Sequence, residues 1–438
     1  MGVEEMPAAK GLWRVTFAAL VAGAVTGLVG GLFRLGLIWA DKMRLSVVAY
    51  SHDYPYLGWL IPVLGAAIFV AIARFLVRFE PLAGGSGVQH VEAVMRGEAK
   101  PPPLGVLPVK FVGGLLSLGV AGMALGREGP SVQMGSAIAS WFGRHLRLSD
   151  SDIGSLQAAA GGAGLGVAFN APLGGALFVF EEVAHVFQVR LAVMTLLTCS
   201  VAIAVAHLIL GTATDFTVSP SLIPGFWNLA PYLGLGLLLG ALAAAYNRLI
   251  IIFLDLFEGF TRWPVEVRAA LVGATVGAIA WFEPALVGGG DSINQRLLTG
   301  GLSLSAIAIL ILVRWFLGPF CYSAGTPGGL FAPLLVIGAG FGALYASLLA
   351  GLLPGLALQP AGFAVVGMTA FFVGVVRSPL TGIALVIEMT AATSMLVPLL
   401  VGAFGALLTV TLLRNTPIYD TLRERMLSSA MFKAANAK

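Results

Sequence analysis

Long runs of apolar side chains recur through this chain, at 57–77, 105–123, 191–211, 229–255, 303–320 and 361–376. Each approaches the roughly 20 residues that a helix needs to cross the hydrocarbon of a bilayer. Of the 438 residues, 58% are hydrophobic and only 11% charged, where an ordinary soluble domain carries about 25% charged residues. Such a chain has too few polar groups to cover a water-facing surface. A bilayer removes that mismatch, and runs of this length satisfy their backbone there as helices. The first apolar run follows residues 1–10 with no small-residue cleavage pattern, so it reads as mature protein rather than a signal peptide. The expectation is an all-α polytopic membrane protein.

The net charge of +4 fits the basic bias of cytoplasmic loops and tails, here Lys10, Arg14, Arg423, Arg425, Lys433 and Lys438. The basic residues do not cluster with aromatic ones, so no nucleic-acid partner is expected. Cys199 and Cys321 lie far apart in apolar surroundings and the five histidines have no ligand spacing, so neither a disulfide framework, a metal site nor a cofactor is expected.

The chain repeats itself. Residues 170–181 (NAPLGGALFVFE) align with 377–388 (RSPLTGIALVIE), which places Pro172 and Glu181 each 207 positions before Pro379 and Glu388. Upstream, Pro130 and Gly135 precede Pro333 and Gly338 by 203 positions, and Gly85-Ser86-Gly87 precedes Gly288-Gly289-Gly290 by the same 203. Three landmarks in one order at nearly one offset define two halves, 11–212 and 230–415. They are flanked by a tail at 1–10, a connector at 213–229, and a C-terminal helix and tail at 416–438. Internal repetition of this kind is characteristic of transporters, whose substrate site lies between the repeats near the membrane midplane. A shared structural role is expected for Glu181 and Glu388, and Lys110, in an apolar run, is expected to partner backbone carbonyls or an acid.

Three glycine clusters interrupt apolar sequence: Gly84-Gly85-Ser86-Gly87, Gly126-Arg127-Glu128-Gly129-Pro130, and 325–333 (GTPGGLFAP). Each precedes a helix-compatible segment, and the latter two place Pro130 and Pro333 in a first helical turn, where a missing N–H costs nothing. Non-helical backbone at membrane depth is tolerated only where it is buried in protein or lines an aqueous cavity. Helix starts present unpaired N–H groups and the positive end of the dipole, so several aimed at one point make an anion site. Glu128, a carboxylate at such a start, would compete with the anion for one positive hole, and protonation would remove the competitor.

In Gly85-Ser-Gly-Val-Gln89, Gly126-Arg-Glu-Gly-Pro130, Gly329-Leu-Phe-Ala-Pro333 and Tyr419 the chain resembles the CLC family of chloride/proton antiporters and chloride channels, over nearly its whole length. One departure is Gln89, which stands where the family usually has proline. The resemblance implies two inverted repeats of tilted and broken helices, a homodimer with one pore per subunit, and no enzymatic activity. It implies that Ser86 and Tyr419 supply hydroxyls, and Leu330 and Phe331 backbone amides, to a central chloride ion. Arg127 and Gly129, on either side of Glu128, are expected to join them in binding the anion, with Gly85, Gly87, Gly126, Pro130, Gly329 and Pro333 shaping the loops. It further implies that Glu128 is the gating glutamate and Glu182 the inner proton-transfer glutamate, an acid that the family's channels commonly lack. The implied activity is exchange of chloride for protons across a prokaryotic plasma membrane. The alternatives are a passive anion channel on the same fold, and a carrier of another anion such as nitrate or fluoride. An intramembrane enzyme would need a nucleophile–base set or metal ligands, and no HExxH, GxSxG or paired intramembrane aspartates occur.

Overall fold

The computed structural model describes residues 9–218, 225–356 and 358–429. Those residues form seventeen helices and no strand beyond two isolated backbone bridges. The first eight are α1 (Ala9–Ser51), α2 (Leu60–Leu76), α3 (Val88–Met95), α4 (Val106–Gly114), α5 (Glu128–His145), α6 (Asp150–Phe169), α7 (Pro172–Phe178) and α8 (Val189–Leu210). The next eight repeat the pattern: α9 (Leu229–Gly259), α10 (Val265–Phe282), α11 (Asp291–Leu298), α12 (Leu304–Tyr322), α13 (Phe331–Leu352), α14 (Pro360–Val376), α15 (Pro379–Thr390) and α16 (Leu396–Leu412). The last is α17 (Ile418–Ser428). Wider π-type turns extend α4 through Leu115–Val120 and α7 through Val179–Val183.

Seven of these helices are long and apolar enough to span a bilayer, and α2, α14 and α15 are shorter apolar helices. Large aliphatic and aromatic side chains point outward from them, among them Trp39, Leu208, Phe282, Leu312 and Leu412. The interior, by contrast, is held by small residues. Gly338 of α13 lies against Gly367 of α14 so closely that a Cβ there would sit 2.2 Å from the Gly367 carbonyl oxygen. Its repeat mate Gly135 of α5 meets the Ala160 carbonyl of α6 in the same way, at 2.3 Å. Close backbone approach of this kind is how helices gain contact in lipid, where no hydrophobic force drives them together.

Repeat mates do the same local jobs. Gly87 (φ +92°) and Gly290 (φ +99°) start α3 and α11 in the left-handed region that favours glycine. Asn170 (φ 51°) and Arg377 (φ 72°) end α6 and α14 in left-handed turns, and Pro172 and Pro379 open the next helices. The halves then lock together through mates. Gly126 and Gly329 exchange N–H···O bonds of 2.8 and 2.7 Å as an antiparallel pair, the pattern a two-fold axis between them produces. Glu181 accepts the N–H groups of Leu380 and Thr381 at the start of α15 (3.0 and 2.7 Å). Glu388 accepts those of Leu173 and Gly174 at the start of α7 (3.0 and 2.7 Å). Each carboxylate caps the helix dipole of the opposite half, where negative charge is favoured.

Two readings from sequence change. The segment 213–229 is more than a connector within its described residues. Phe216 is buried and donates its N–H to the Met389 carbonyl (2.9 Å), while Asp215 pairs with Arg34 and Arg127. Arg423 and Arg425 do not belong to a free basic tail. They lie on α17, Arg423 paired with Glu98 (2.6 Å) and Arg425 with Asp255 and Glu258 (each 2.6 Å). The tail beyond 429 and residues 1–8 lie outside the described residues, while positions 9 and 10 of the expected N-terminal tail already belong to α1.

Candidate functional site: a buried carboxylate where four helices meet

The three glycine clusters zip together through their backbones. Gly85 donates to the Thr326 carbonyl (3.2 Å) and accepts from the Gly328 N–H (3.1 Å), and Gly126 pairs with Gly329. This brings the starts of α3, α5 and α13 to one place. The fourth helix, α17, packs against α3 and carries Tyr419, whose ring meets that of Phe331 edge-on at 5.6 Å. Ser86, Glu128, Leu330, Phe331 and Tyr419 are all fully buried.

The Glu128 carboxylate sits among backbone groups. One oxygen accepts the Phe331 N–H at 2.6 Å, and the other has no hydrogen-bonding partner among the described residues. Space for it exists because its neighbours lack side chains. A Cβ on Gly126 would lie 1.9 Å from one carboxylate oxygen, and a Cβ on Gly329 2.3 Å from the other. Gly129 makes similar room for Ser86, since a Cβ there would lie 2.4 Å from the Ser86 hydroxyl. The Ser86 and Tyr419 hydroxyls are close enough to interact, yet neither makes a hydrogen bond of normal geometry among the described residues. Two buried, unpartnered hydroxyls beside helix-start amides are an incomplete hydrogen-bonding shell, which costs free energy unless a ligand fills it.

Among the described residues, no side-chain ammonium or guanidinium completes that shell. Lys110 is buried behind the loop and donates to the Gly85 and Ser86 carbonyls (2.6 and 2.9 Å), the carbonyl partnership expected from its place in an apolar run. The Arg127 guanidinium is taken up by the Ala168 carbonyl (2.8 Å), Asp291 (2.7 Å) and Asp215 (3.4 Å). What Arg127 offers to an ion is therefore its long-range charge at the mouth of a cavity of about 620 Å³. That cavity reaches Gly126 and is lined by four basic side chains, Lys42, Arg44, Arg127 and Arg296, and three acidic ones, Asp41, Glu283 and Asp291.

Glu182 stands apart from this cluster, on the π-type turn after α7. It is 5% exposed and accepts the Ser378 hydroxyl at 2.5 Å. Tyr419 lies within electrostatic range of both Glu128 and Glu182. Sequence reasoning missed the clamp beneath it. Glu92 of α3 is buried and pairs with Arg96 (2.8 Å) and Arg423 of α17 (3.3 Å), and Asp420 binds both arginines (3.3 and 3.1 Å). These pairs tie the helix carrying Tyr419 to the helix that follows Ser86. The available signal was spacing: Arg423 lies four residues after Tyr419, on the same helix face.

Broken helices that start around a buried carboxylate, inside a bundle of membrane-spanning helices, define an integral membrane ion-transport protein. The model of the voltage gated chloride channel family matches residues 65–411, and the chain belongs to that family. It is 36% identical over 422 residues to the H(+)/Cl(-) exchange transporter ClcA of Vibrio parahaemolyticus, covering 95% of this chain and 90% of the relative. To the transporter of the same name from Salmonella typhimurium it is 34% identical, covering 94% and 89%. Among solved structures, that of a slow cyanobacterial Cl-/H+ antiporter superposes with a TM-score of 0.90 at 32% identity, covering 95% of this chain and 99% of that one. A CLC-type fluoride/proton antiporter shares the fold at 20% identity and a TM-score of 0.75. The protein is thus a multi-pass membrane protein built as two inverted helical repeats, as its sequence implies.

Proposed function

We propose that the chain exchanges chloride for protons across a membrane, with Glu128 as the group through which the two fluxes meet. The observation that carries this reading is the Glu128 carboxylate seated on the Phe331 amide beside the unpartnered hydroxyls of Ser86 and Tyr419. A chloride ion needs the same donors. Backbone amides of Leu330 and Phe331 and two hydroxyls replace part of its hydration shell without the trap of a full positive charge, so the ion can also leave. Carboxylate and chloride cannot share the place, because two like charges at 4 Å repel by about 4 kcal/mol even at an effective dielectric of 20. Protonation neutralises Glu128 and frees the amide, so each proton taken up admits an anion.

Glu182 is the inner proton donor in this reading. It is a buried acid within electrostatic range of Tyr419 and of the clamp's acids Glu92 and Asp420, and an ionisable group inside a membrane bundle is a functional candidate by default. The relatives' names as H(+)/Cl(-) exchange transporters and the match to a Cl-/H+ antiporter support exchange over passive conduction. We further propose residues 11–212 and 230–415 as the functional halves, a bacterial inner-membrane location, and a homodimer. The exposed apolar faces of α8 (Val189, Val193, Leu196) and α16 (Leu400, Phe404, Leu408) suit a second copy.

The test is flux from purified protein in liposomes under a chloride gradient. Native protein should drive protons uphill, and Glu182→Gln should move chloride alone. Chloride movement by native protein without protons would replace this reading with that of a passive channel.

A further inference from the structure

Gln89 occupies the second position of α3, three residues after Ser86. Its side chain folds back and accepts the Gly87 N–H at 3.2 Å. Gly87 follows Ser86 directly, and its N–H belongs to the donors at the start of α3, the helix whose positive end faces the cluster. The loop is closely packed at this point. Gly87 is in the left-handed region, and a Cβ on it would lie 2.4 Å from the Gln133 carboxamide oxygen. Gln133 is fixed in turn by the Leu82 carbonyl (2.9 Å) and the His90 ring (3.1 Å). From the other half of the chain, the Tyr322 hydroxyl interacts with the Gln89 side chain and with the Ser86 backbone. Gln89 is therefore tied to the serine loop directly at Gly87 and indirectly through Tyr322, while the Ser86 hydroxyl makes no hydrogen bond of normal geometry among the described residues.

The Gln89 side chain also has somewhere to go. It borders a cavity of about 80 Å³ lined by Gly84, Gly87, His90, Met426 and Ser429, room for a carboxamide to swing into. Resting on rather than filling that space, Gln89 holds its oxygen, the negative end of a dipole, against a donor beside the anion site.

We propose that Gln89 sets the anion affinity of this transporter by acting as an internal acceptor that competes with the ion for the Gly87 N–H. The proposal rests on the reading of Ser86, Tyr419, Leu330 and Phe331 as the anion site. A proline here, the residue usual in the family, offers no side-chain acceptor and leaves that N–H to the ion. The loss of one neutral donor is worth about a two- to tenfold change in affinity. Small anions with concentrated charge depend most on directed donors, so the effect is larger for chloride than for nitrate.

The experiment is calorimetric titration of chloride and nitrate into purified full-length native protein and the variants Gln89→Met, Gln89→Pro and Gln89→Glu, with thermal unfolding alongside. Methionine keeps the volume and removes the acceptor, so Gln89→Met should bind chloride about two- to tenfold more tightly, with a smaller gain for nitrate and a melting temperature that falls without chloride and recovers more steeply than native as chloride is added. Gln89→Pro should tighten chloride likewise, and Gln89→Glu should weaken it, because the acceptor becomes charged. Opposite signs from Met and Glu are not what a merely structural residue would give. Native chloride binding with Met and Pro variants within twofold of it would overturn the role of Gln89 and leave the exchanger intact. Native protein that binds no chloride would overturn the anion site, and this proposal with it.

Discussion

Replacing Glu128 by alanine gives the sharpest test of the site. In the native protein an arriving chloride must displace a carboxylate whose oxygen accepts the Phe331 N–H at 2.6 Å. A hydrogen bond to a charged group is worth about 1.5–3 kcal/mol. The alanine variant has no such competitor, so its chloride affinity should rise by roughly 10- to 150-fold at about 1.4 kcal/mol per decade. Glutamine keeps an acceptor of similar shape but offers only a neutral bond, worth about 0.5–1.5 kcal/mol. Glu128→Gln should therefore fall between alanine and native. Calorimetric titration of chloride into the three proteins reads the order directly, and proton flux in liposomes should vanish in both variants. Equal dissociation constants in native and alanine proteins would refute competition between carboxylate and ion, and with it the coupling scheme.

Three further outcomes follow from the same coordinates. Ser86→Ala should weaken chloride binding about two- to tenfold with little loss of thermal stability, because the hydroxyl removed makes no hydrogen bond of normal geometry among the described residues; a large drop in melting temperature would contradict that. Glu388→Gln should cost about 1 kcal/mol of stability and Glu181→Gln somewhat more, since both carboxylates cap the opposite half's helix but Glu181 also accepts the Thr381 hydroxyl (2.8 Å); thermal denaturation in detergent measures both, and a larger loss for Glu388→Gln would contradict that order. Gly338→Ala should destabilise by about 1–3 kcal/mol or prevent folding, its Cβ landing 2.2 Å from a carbonyl oxygen, while Gly65→Ala, with nothing within 4 Å, should be neutral or better.

Much of this architecture was legible because lipid simplifies the reading. Apolar runs mark helices, and the glycine clusters that break them stand out against that background, so the starts of α3, α5 and α13 and the place of Glu128 at one of them could be expected from pattern, whereas Ser86 and Phe331 entered through the family resemblance. The repeat was legible because mates such as Gly87 and Gly290, or Pro172 and Pro379, occupy backbone conformations that few residues accept. The charged clamps were not. Ion pairs such as Glu92–Arg423 or Asp215–Arg127 join segments 331 and 88 positions apart, and any charge can pair with many others until the fold chooses. Arg127 shows the consequence: its place beside Glu128 in sequence suggests an anion ligand, whereas in the fold its guanidinium belongs to two aspartates and a carbonyl.

That disposition of charge also explains how a transporter can use an anion site and still release the anion. The cations nearest the path are neutralised or withheld: Lys110 by two carbonyls, Arg127 by Asp291 and Asp215, Arg423 by Glu92, Glu98 and Asp420. In the proposed site, what faces the ion is a ring of amides and hydroxyls, each a partial charge, and the Glu128 carboxylate, which the proposal has yield to the ion on protonation. A free lysine or arginine in that ring would hold both chloride and Glu128 tightly and would leave the proton nothing to decide. With partial charges only, the balance between ion and carboxylate lies within a few kcal/mol, the range that one proton on Glu128 can reverse. The reciprocal capping by Glu181 and Glu388 then has a clear purpose in the same scheme. It ties up two further acids at the repeat interface in hydrogen bonds to helix starts, which leaves Glu128 and Glu182 as the carboxylates that the proposed scheme uses.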